Sequence, residues 1–330
     1  MIRFALTQAL CQEGMRLLEN EGPVWVANDP DLAKYPEELR NAEGIIIRIG
    51  RLDGEAIAAC PRLRVIGRTG VGYDSIDVEE ATRRGIPVVL TPGANARAVA
   101  EQVLAMMLAL SRNLLPFDAG LREGNYGIRN TLPGLELRGK TVGVIGLGAV
   151  GQETARLLRA VGMKVMGFDP FVPRETLLSL CDGVAGDYHE LLPICDYLTL
   201  HAPLTPQTRQ MIGPEELAAM KPGAMLINCA RGDLVDEMAL AAALNEERLA
   251  GAGMDVFAED PPSVDHPLLH ARHVLVTPHS AALTKEAVLN CALRCVEGCL
   301  SVLRGERWPQ VANPQVYEHP MWKGTKLAGE

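Results

Sequence analysis

Residues 140–170, "KTVGVIGLGAVGQETARLLRAVGMKVMGFDP", constrain the fold more than any other part of this chain. The apolar run "TVGVI" leads into Gly146, Gly148 and Gly151, spaced G-x-G-x-x-G, and a proline-free helical pattern follows. A second apolar run then closes on Asp169, about twenty residues further on. Glycine spacing alone is weak evidence. Flanked by strand, helix, strand and acid, it predicts a βαβ unit that binds a dinucleotide. Gly146 permits the tight turn. Gly148 lets a pyrophosphate approach the N–H groups of the helix start, where Ala149 and Val150 sit, and Gly151 lets helix and strand pack closely. Asp169 selects the cofactor. A carboxylate there accepts hydrogen bonds from both ribose hydroxyls but repels a 2′-phosphate, by several kcal/mol for charges roughly 4 Å apart at intermediate dielectric. The next arginine is delayed to Arg174. The expected cofactor is therefore NAD rather than NADP.

The same alternation of strand and helix extends along the chain. "FAL", "VWVA", "GIIIRI", "RVIGRTG" and "PVVLTP" are β-rich runs in the first hundred residues. "KTVGVIG", "KVMGFD", "DYLTLH", "MLINCA", "GAGMDVF" and "HVLVTP" form a later series of six. Each run is continuously apolar, as strands covered on both faces should be, which predicts α/β architecture with doubly wound parallel sheets. A new unit is expected to open near Asn95, as N-cap of a helix "ARAVAEQVLAMMLALSRNLL" broken at Pro116. After His279 the chain reads as one long helix, "TKEAVLNCALRCVEGCLSVLRG", and a proline-containing tail. The helix is expected to serve packing, with Cys291, Cys295 and Cys299 as small apolar groups on a buried face rather than metal ligands.

Composition closes off other classes. A chain of 330 residues, 48% hydrophobic, can bury more than one core. Its net charge of −9 is mixed along the sequence, so neither nucleic acid nor an anionic membrane is an expected partner. The N-terminal stretch meets Arg3 too early for a signal peptide, and no apolar run approaches the ~20 residues of a membrane span. The expected compartment is the cytoplasm.

Eight motifs in order, "GRTGVGYDSIDVEEATRRGIPV", "NARAVAE", "GVIGLGAVG", "FDP", "HAPLTPQTRQMI", "INCARGDLVDE", "GAGMDVFAEDPP" and "TPHSA", resemble the D-isomer-specific 2-hydroxyacid dehydrogenases, in particular their D-3-phosphoglycerate dehydrogenase branch. The resemblance runs from about "GIIIRIG" to "VANP". It implies a Rossmann-type cofactor domain, residues 96–287, inserted into a smaller flavodoxin-like α/β substrate domain, residues 1–95 and 288–330. It also implies a homodimer and a small 2-hydroxyacid/2-oxoacid pair as substrate, with 3-phosphoglycerate-like acids, glyoxylate or hydroxypyruvate favoured.

Hydride transfer from a secondary alcohol needs a base for the hydroxyl proton and a cation for the carboxylate and developing carbonyl. By the resemblance, His279 is the acid/base and Arg231 the substrate-orienting cation, whose guanidinium can grip a carboxylate in bidentate fashion. Glycines flanking Val71 let backbone N–H groups converge on an anion, so Val71 and Gly72 are expected to cradle the substrate carboxylate. Arg48 and Arg68 are candidates for a second substrate anion. For the cofactor, the resemblance places His201, Ala202 and Pro203 on the adenine side, and Thr208, Cys229 and Ala230 along the dinucleotide. Asp255 would meet the nicotinamide carboxamide and Val99 would back the ring.

The acids of "DVFAEDPP" then divide. Asp255 faces the cofactor, Glu259 is a solvated loop acid, and Asp260 falls where the family carries the glutamate that pairs with the catalytic histidine. A buried acid beside His279 favours the imidazolium that reduction of an oxoacid requires. Aspartate is one methylene, about 1.5 Å, shorter. Direct pairing by Asp260 is expected over a water bridge or substitution by Glu259. An NAD(H)-sensing corepressor with the same fold is the alternative of a different class, and formate oxidation is disfavoured because the resembling position there carries a glutamine.

Overall fold

The structure, a computed structural model, describes residues 4–28 and 37–329; Arg3 lies outside them. The chain divides into two compact units, Met1–Asn95 with Thr284–Glu330, and Ala96–Leu283.

The first unit holds a five-stranded parallel sheet: β1 (Phe4–Leu6), β2 (Val24–Val26), β3 (Gly44–Ile47), β4 (Val65–Arg68) and β5 (Val88–Val89), in the order β2-β1-β3-β4-β5. That order is the flavodoxin-like one. Alternation along β3 explains why the sheet is covered twice. Ile45 and Ile47 join Leu52, Ile57 and Ile66 on one face, while Ile46 joins Phe4, Leu6 and Val65 on the other. Burying each such side chain contributes about 1.5–3 kcal/mol. The second face is closed by the helix Lys285–Leu303, which starts where Thr284 Oγ1 accepts the Ala287 N–H and which contributes Ala292, Cys295, Val296 and Cys299 to the core. Gly67 in β4 leaves room for the sulfurs: a Cβ there would stand 2.6 Å from Cys299 Sγ and 2.7 Å from Cys295 Sγ. These thiols are packing groups.

The second unit holds seven parallel strands: β6 (Thr141–Ile145), β7 (Lys164–Phe168), β8 (Gly183–Val184), β9 (Tyr197–Leu200), β10 (Met225–Asn228), β11 (Gly251–Met254) and β12 (Val274–Val276). Their order is β12-β11-β10-β9-β6-β7-β8, a doubly wound sheet whose direction of growth switches between β6 and β9. Val142, Val144 and Ile227 face one core, while Ile145, Leu198, Leu200 and Leu226 face the other. The seventh strand, β8, escaped the sequence pattern because it is two residues long and only half-buried.

The opening helix also departs from expectation. It runs Ala96–Ser111, and the break comes at Asn113, in the left-handed region at φ 53°, while Pro116 lies inside the next helix, Leu114–Arg122. Proline is tolerated there because the first turn of a helix has no use for its missing N–H. Asn95 Oδ1 is buried without a hydrogen-bond partner among the described residues, so it does not cap the helix. No single helix among the described residues is long and apolar enough to cross a membrane.

Candidate active site

Because all seven strands of the second unit are parallel, the segments that follow them emerge at one carboxyl edge. That edge collects Gly146 after β6, Asp169 after β7, His201 after β9, Arg231 after β10, Asp255 after β11 and His279 after β12. In doubly wound sheets ligands bind at this edge beside the switch point.

The turn after β6 is shaped by what its glycines lack. Gly146 has φ 88°, and a Cβ there would stand 2.6 Å from His201 C and 2.7 Å from Ala202 N, both main-chain atoms across the switch point. At Gly151 a Cβ would come within 2.0 Å of Gly146 O. Gly148, N-cap of the helix Ala149–Ala160, has nothing within 4 Å of an added Cβ, so open space lies at a helix start, whose first main-chain N–H groups have no acceptor within the helix. This cradle fits a pyrophosphate. Asp169 Oδ2 accepts the Leu147 N–H at 2.8 Å and Oδ1 the Phe171 N–H at 2.8 Å, which fixes the carboxylate at the strand end with one lone pair on each oxygen to spare.

In the segment after β9, His201 Nε2 lies 3.1 Å from Thr199 Oγ1. Desolvation pushes its imidazole down to about 4, so it is neutral at pH 7. Thr208 Oγ1 donates to Pro203 O at 2.6 Å and accepts the Thr205 N–H at 2.8 Å, closing the 203–208 loop on itself. Cys229 and Ala230 follow β10. There buried Asn228 accepts the Ala230 N–H at 3.0 Å and donates to Arg231 O at 2.8 Å, and Arg231 Nη1 donates to Ala230 O at 2.6 Å. Burial pushes the Cys229 thiol up, so it stays protonated. Val99 is buried on the helix Ala96–Ser111.

Asp255 is 1% exposed, and its carboxylate is claimed by the next strand's end. Oδ1 accepts Thr277 Oγ1 at 2.5 Å and the Ser280 N–H at 2.8 Å, while Oδ2 accepts the Ala281 N–H at 2.9 Å. Its main-chain oxygen accepts the His279 N–H at 2.8 Å. Of roughly four acceptor positions on a carboxylate, one is left on Oδ2. Asp255 is thus first a clamp on residues 277–281, a role its sequence context did not reveal. Thr277, which also meets Gln102 Nε2 at 3.4 Å, and Asn228 are likewise site-building residues that the motifs left unmarked.

The clamp holds His279 at φ 51°, a left-handed conformation that costs a branched or bulky residue of order 1–3 kcal/mol. In that pose His279 Nδ1 lies 2.5 Å from Asp260 Oδ2. No water bridge is needed, and Glu259 is exposed in the same loop. The pair is not buried, however: the side chains are 52% and 37% exposed, so the expected buried acid is corrected to a solvent-accessible one.

In the first unit, the carboxyl edge carries Arg48 after β3 and the 70–72 loop after β4. The Gly70 N–H is spent on Arg68 O at 2.9 Å and so is not part of an anion cradle. The N–H groups of Val71 and Gly72 have no hydrogen-bond partner among the described residues, and Val71 is exposed. Arg68 braces this loop, its Nε donating to Gly72 O at 2.7 Å and its Nη1 to Arg48 O. The Arg48 main-chain N–H donates to Thr7 Oγ1 at 3.1 Å, while its side-chain Nη1 reaches Ala9 O only at 3.5 Å.

Known proteins share this sequence pattern and fold. Residues 104–281, more than half of the chain, match the family model for D-isomer specific 2-hydroxyacid dehydrogenase, NAD binding domain. D-3-phosphoglycerate dehydrogenase of Methanocaldococcus jannaschii is 41% identical over 325 residues, which cover 98% of this chain and 62% of that protein, so the chain spans less than two thirds of that relative's length. Among solved structures, the TT0316 protein of Thermus thermophilus superposes with a TM-score of 0.84 at 34% identity, covering 94% of this chain and 100% of that one. A D-lactate dehydrogenase of Aquifex aeolicus, complexed with NAD and lactic acid, gives 0.82 at 30% identity, covering 92% and 96%. Residues 104–281 are an NAD-binding domain, and the chain belongs to the D-isomer specific 2-hydroxyacid dehydrogenase family.

Proposed function

We propose that this protein is an NAD-dependent dehydrogenase that interconverts a small D-2-hydroxyacid and its 2-oxoacid. The observation that carries this is the 2.5 Å contact between His279 Nδ1 and Asp260 Oδ2, made on the sheet edge that also bears the dinucleotide turn. NAD, when bound, supplies the hydride acceptor or donor. The chain's own residues do the rest. With Nδ1 turned to Asp260, His279 keeps Nε2 for the substrate hydroxyl or carbonyl oxygen, and Asp260 orients the ring. Arg231 holds the substrate carboxylate and stabilises charge on the developing oxygen. Val71 and Gly72 offer main-chain N–H groups to a substrate anion. Arg48 serves a second anion, which makes a 3-phosphoglycerate-like acid the favoured substrate, in line with the relative in Methanocaldococcus jannaschii; glyoxylate and hydroxypyruvate follow.

On the cofactor side, Gly146, Gly148, Ala149, Val150 and Gly151 hold the pyrophosphate, Asp169 the ribose, and His201, Ala202 and Pro203 the adenine end. Thr208, Cys229, Ala230, the remaining acceptor of Asp255, and Val99 serve the rest of the dinucleotide. The protein works as a homodimer in the cytoplasm, without nucleic acid or membrane. None of the similar proteins named above is described as a corepressor, and no feature of the site favours that alternative.

NADH oxidation against a panel of 2-oxoacids, with His279→Ala as control, tests this. Turnover of at least one acid is expected, falling roughly 10²–10⁴-fold in the control while NADH affinity is kept. Tight NADH binding with no turnover above the control on any acid would overturn the assignment.

A further inference from the structure

Behind the loop that bears Asp260 lies a second acid–histidine pair that the chemistry above does not use. Glu237 is the first residue of the helix Glu237–Asn245, and its side chain is 8% exposed. Oε1 accepts the Ala258 N–H at 2.8 Å, and Oε2 lies 3.1 Å from His266 Nε2. His266 Nδ1 accepts the Leu268 N–H at 3.3 Å, which places the ring proton on Nε2, facing Glu237. The imidazole also meets the Phe257 ring edge-on, with centroids 5.8 Å apart. Glu237 also feels the charge of Asp233, which is held by Arg209 at 2.8 Å.

Burial raises the Glu237 carboxyl, while the Ala258 N–H and His266 offset that cost. A buried acid–histidine pair is a weak stabiliser of a fold, since desolvation of both partners opposes their attraction. What this pair does hold is specific. Ala258 stands two residues before Asp260, at most ~7 Å along an extended chain. The same segment is pressed by Gly232, the residue after Arg231, where a Cβ would stand 1.9 Å from Phe257 C and 2.2 Å from Ala258 N. Upstream, Asp255 ties the start of the loop to residues 277–281. The loop is therefore anchored at Asp255 and at Ala258, and Asp260 is the next side chain with a partner in the catalytic pair. A hydrogen bond tolerates only a few tenths of an ångström, so displacement of Ala258 is passed directly to the Asp260–His279 contact.

We propose that Glu237 and His266 are positioning residues that set the Asp260 carboxylate against His279. The proposal rests on the dehydrogenase assignment for its kinetic arm only. Glu237→Ala, Glu237→Gln, His266→Gln and Asp260→Asn are compared, singly and with Asp260→Asn combined with Glu237→Ala. Three quantities are read: kcat for oxoacid reduction, NADH affinity by fluorescence, and the His279 imidazole resonances by NMR in protein free of cofactor.

Glu237→Ala is expected to lower kcat at least tenfold with NADH affinity within twofold, and to move the His279 resonances toward those of Asp260→Asn. Glu237→Gln, which keeps an oxygen for the Ala258 N–H, restores most of kcat. The combined variant stays within twofold of Asp260→Asn alone, because the two act through one contact. Losses that multiply, or unchanged His279 resonances in a folded Glu237→Ala protein, would overturn it. If Glu237→Ala does not fold, His266→Gln decides by the same cycle and resonances. Absence of turnover in the unsubstituted protein would count against the dehydrogenase assignment, while the resonances still decide the positioning role.

Discussion

The two ends of the second unit's carboxyl edge are built by opposite means. At the turn after β6 the shape comes from missing side chains: Gly146 and Gly151 pack main chain on main chain, and Gly148 leaves open space. Beside β11 and β12 the shape comes from side chains bonded across loops, with Asp255 clamping residues 277–281 and Asp260 meeting His279. The first device is made of main chain alone and suits a phosphate by its open helix start. The second can be altered one atom at a time, which is what tuning proton transfer requires.

Substitutions can break this contrast. The largest effect is expected at Gly151. Its added Cβ would meet Gly146 O at 2.0 Å, a main-chain atom that cannot give way, so Gly151→Ala should push the helix off the strand. Overpacking of this kind costs about 3 kcal/mol, and NADH affinity measured by fluorescence titration should fall roughly a hundredfold. Unchanged affinity would show that the turn is not a backbone device.

Next comes a pH effect at the seam between the ends. His201 is lowered from 6.5 to about 4 by desolvation, so the folded state favours its neutral form. Its contribution is present above pH 6.5 and is lost as pH falls through that value toward 4, where the unfolded chain takes up the proton first. The span corresponds to at most about 3 kcal/mol. Urea unfolding between pH 7 and 4 should show this loss, and His201→Gln should flatten it. A smaller effect is expected at Asp169. If Asp169 serves the ribose as proposed, Asp169→Ala should weaken NADH binding about tenfold and narrow the preference over NADPH in parallel titrations.

The same contrast explains what could be read from the amino acids alone. Glycines announce a backbone device because nothing else satisfies φ 88° at Gly146, so the turn, its helix and Asp169 were legible from spacing. Continuous apolar runs likewise marked eleven of the strands, whereas β8 is too short to carry a pattern. Asp255, Thr277, Asn228 and Glu237 act on atoms that local periodicity does not encode, most of them tens of residues away along the chain. His279 and Asp260 were reached only through the family resemblance. Their conformations, the left-handed φ of His279 and the direct carboxylate contact, depend on a clamp that the motifs do not describe.

The proposed chemistry requires Asp260 as the acid that serves His279. Steady-state oxoacid reduction by Asp260→Asn and Glu259→Gln tests that most directly. Asp260→Asn should lower kcat at least tenfold while leaving NADH affinity within twofold, and Glu259→Gln should change kcat less than twofold. The reverse pattern, a large loss at Glu259 and none at Asp260, would contradict it.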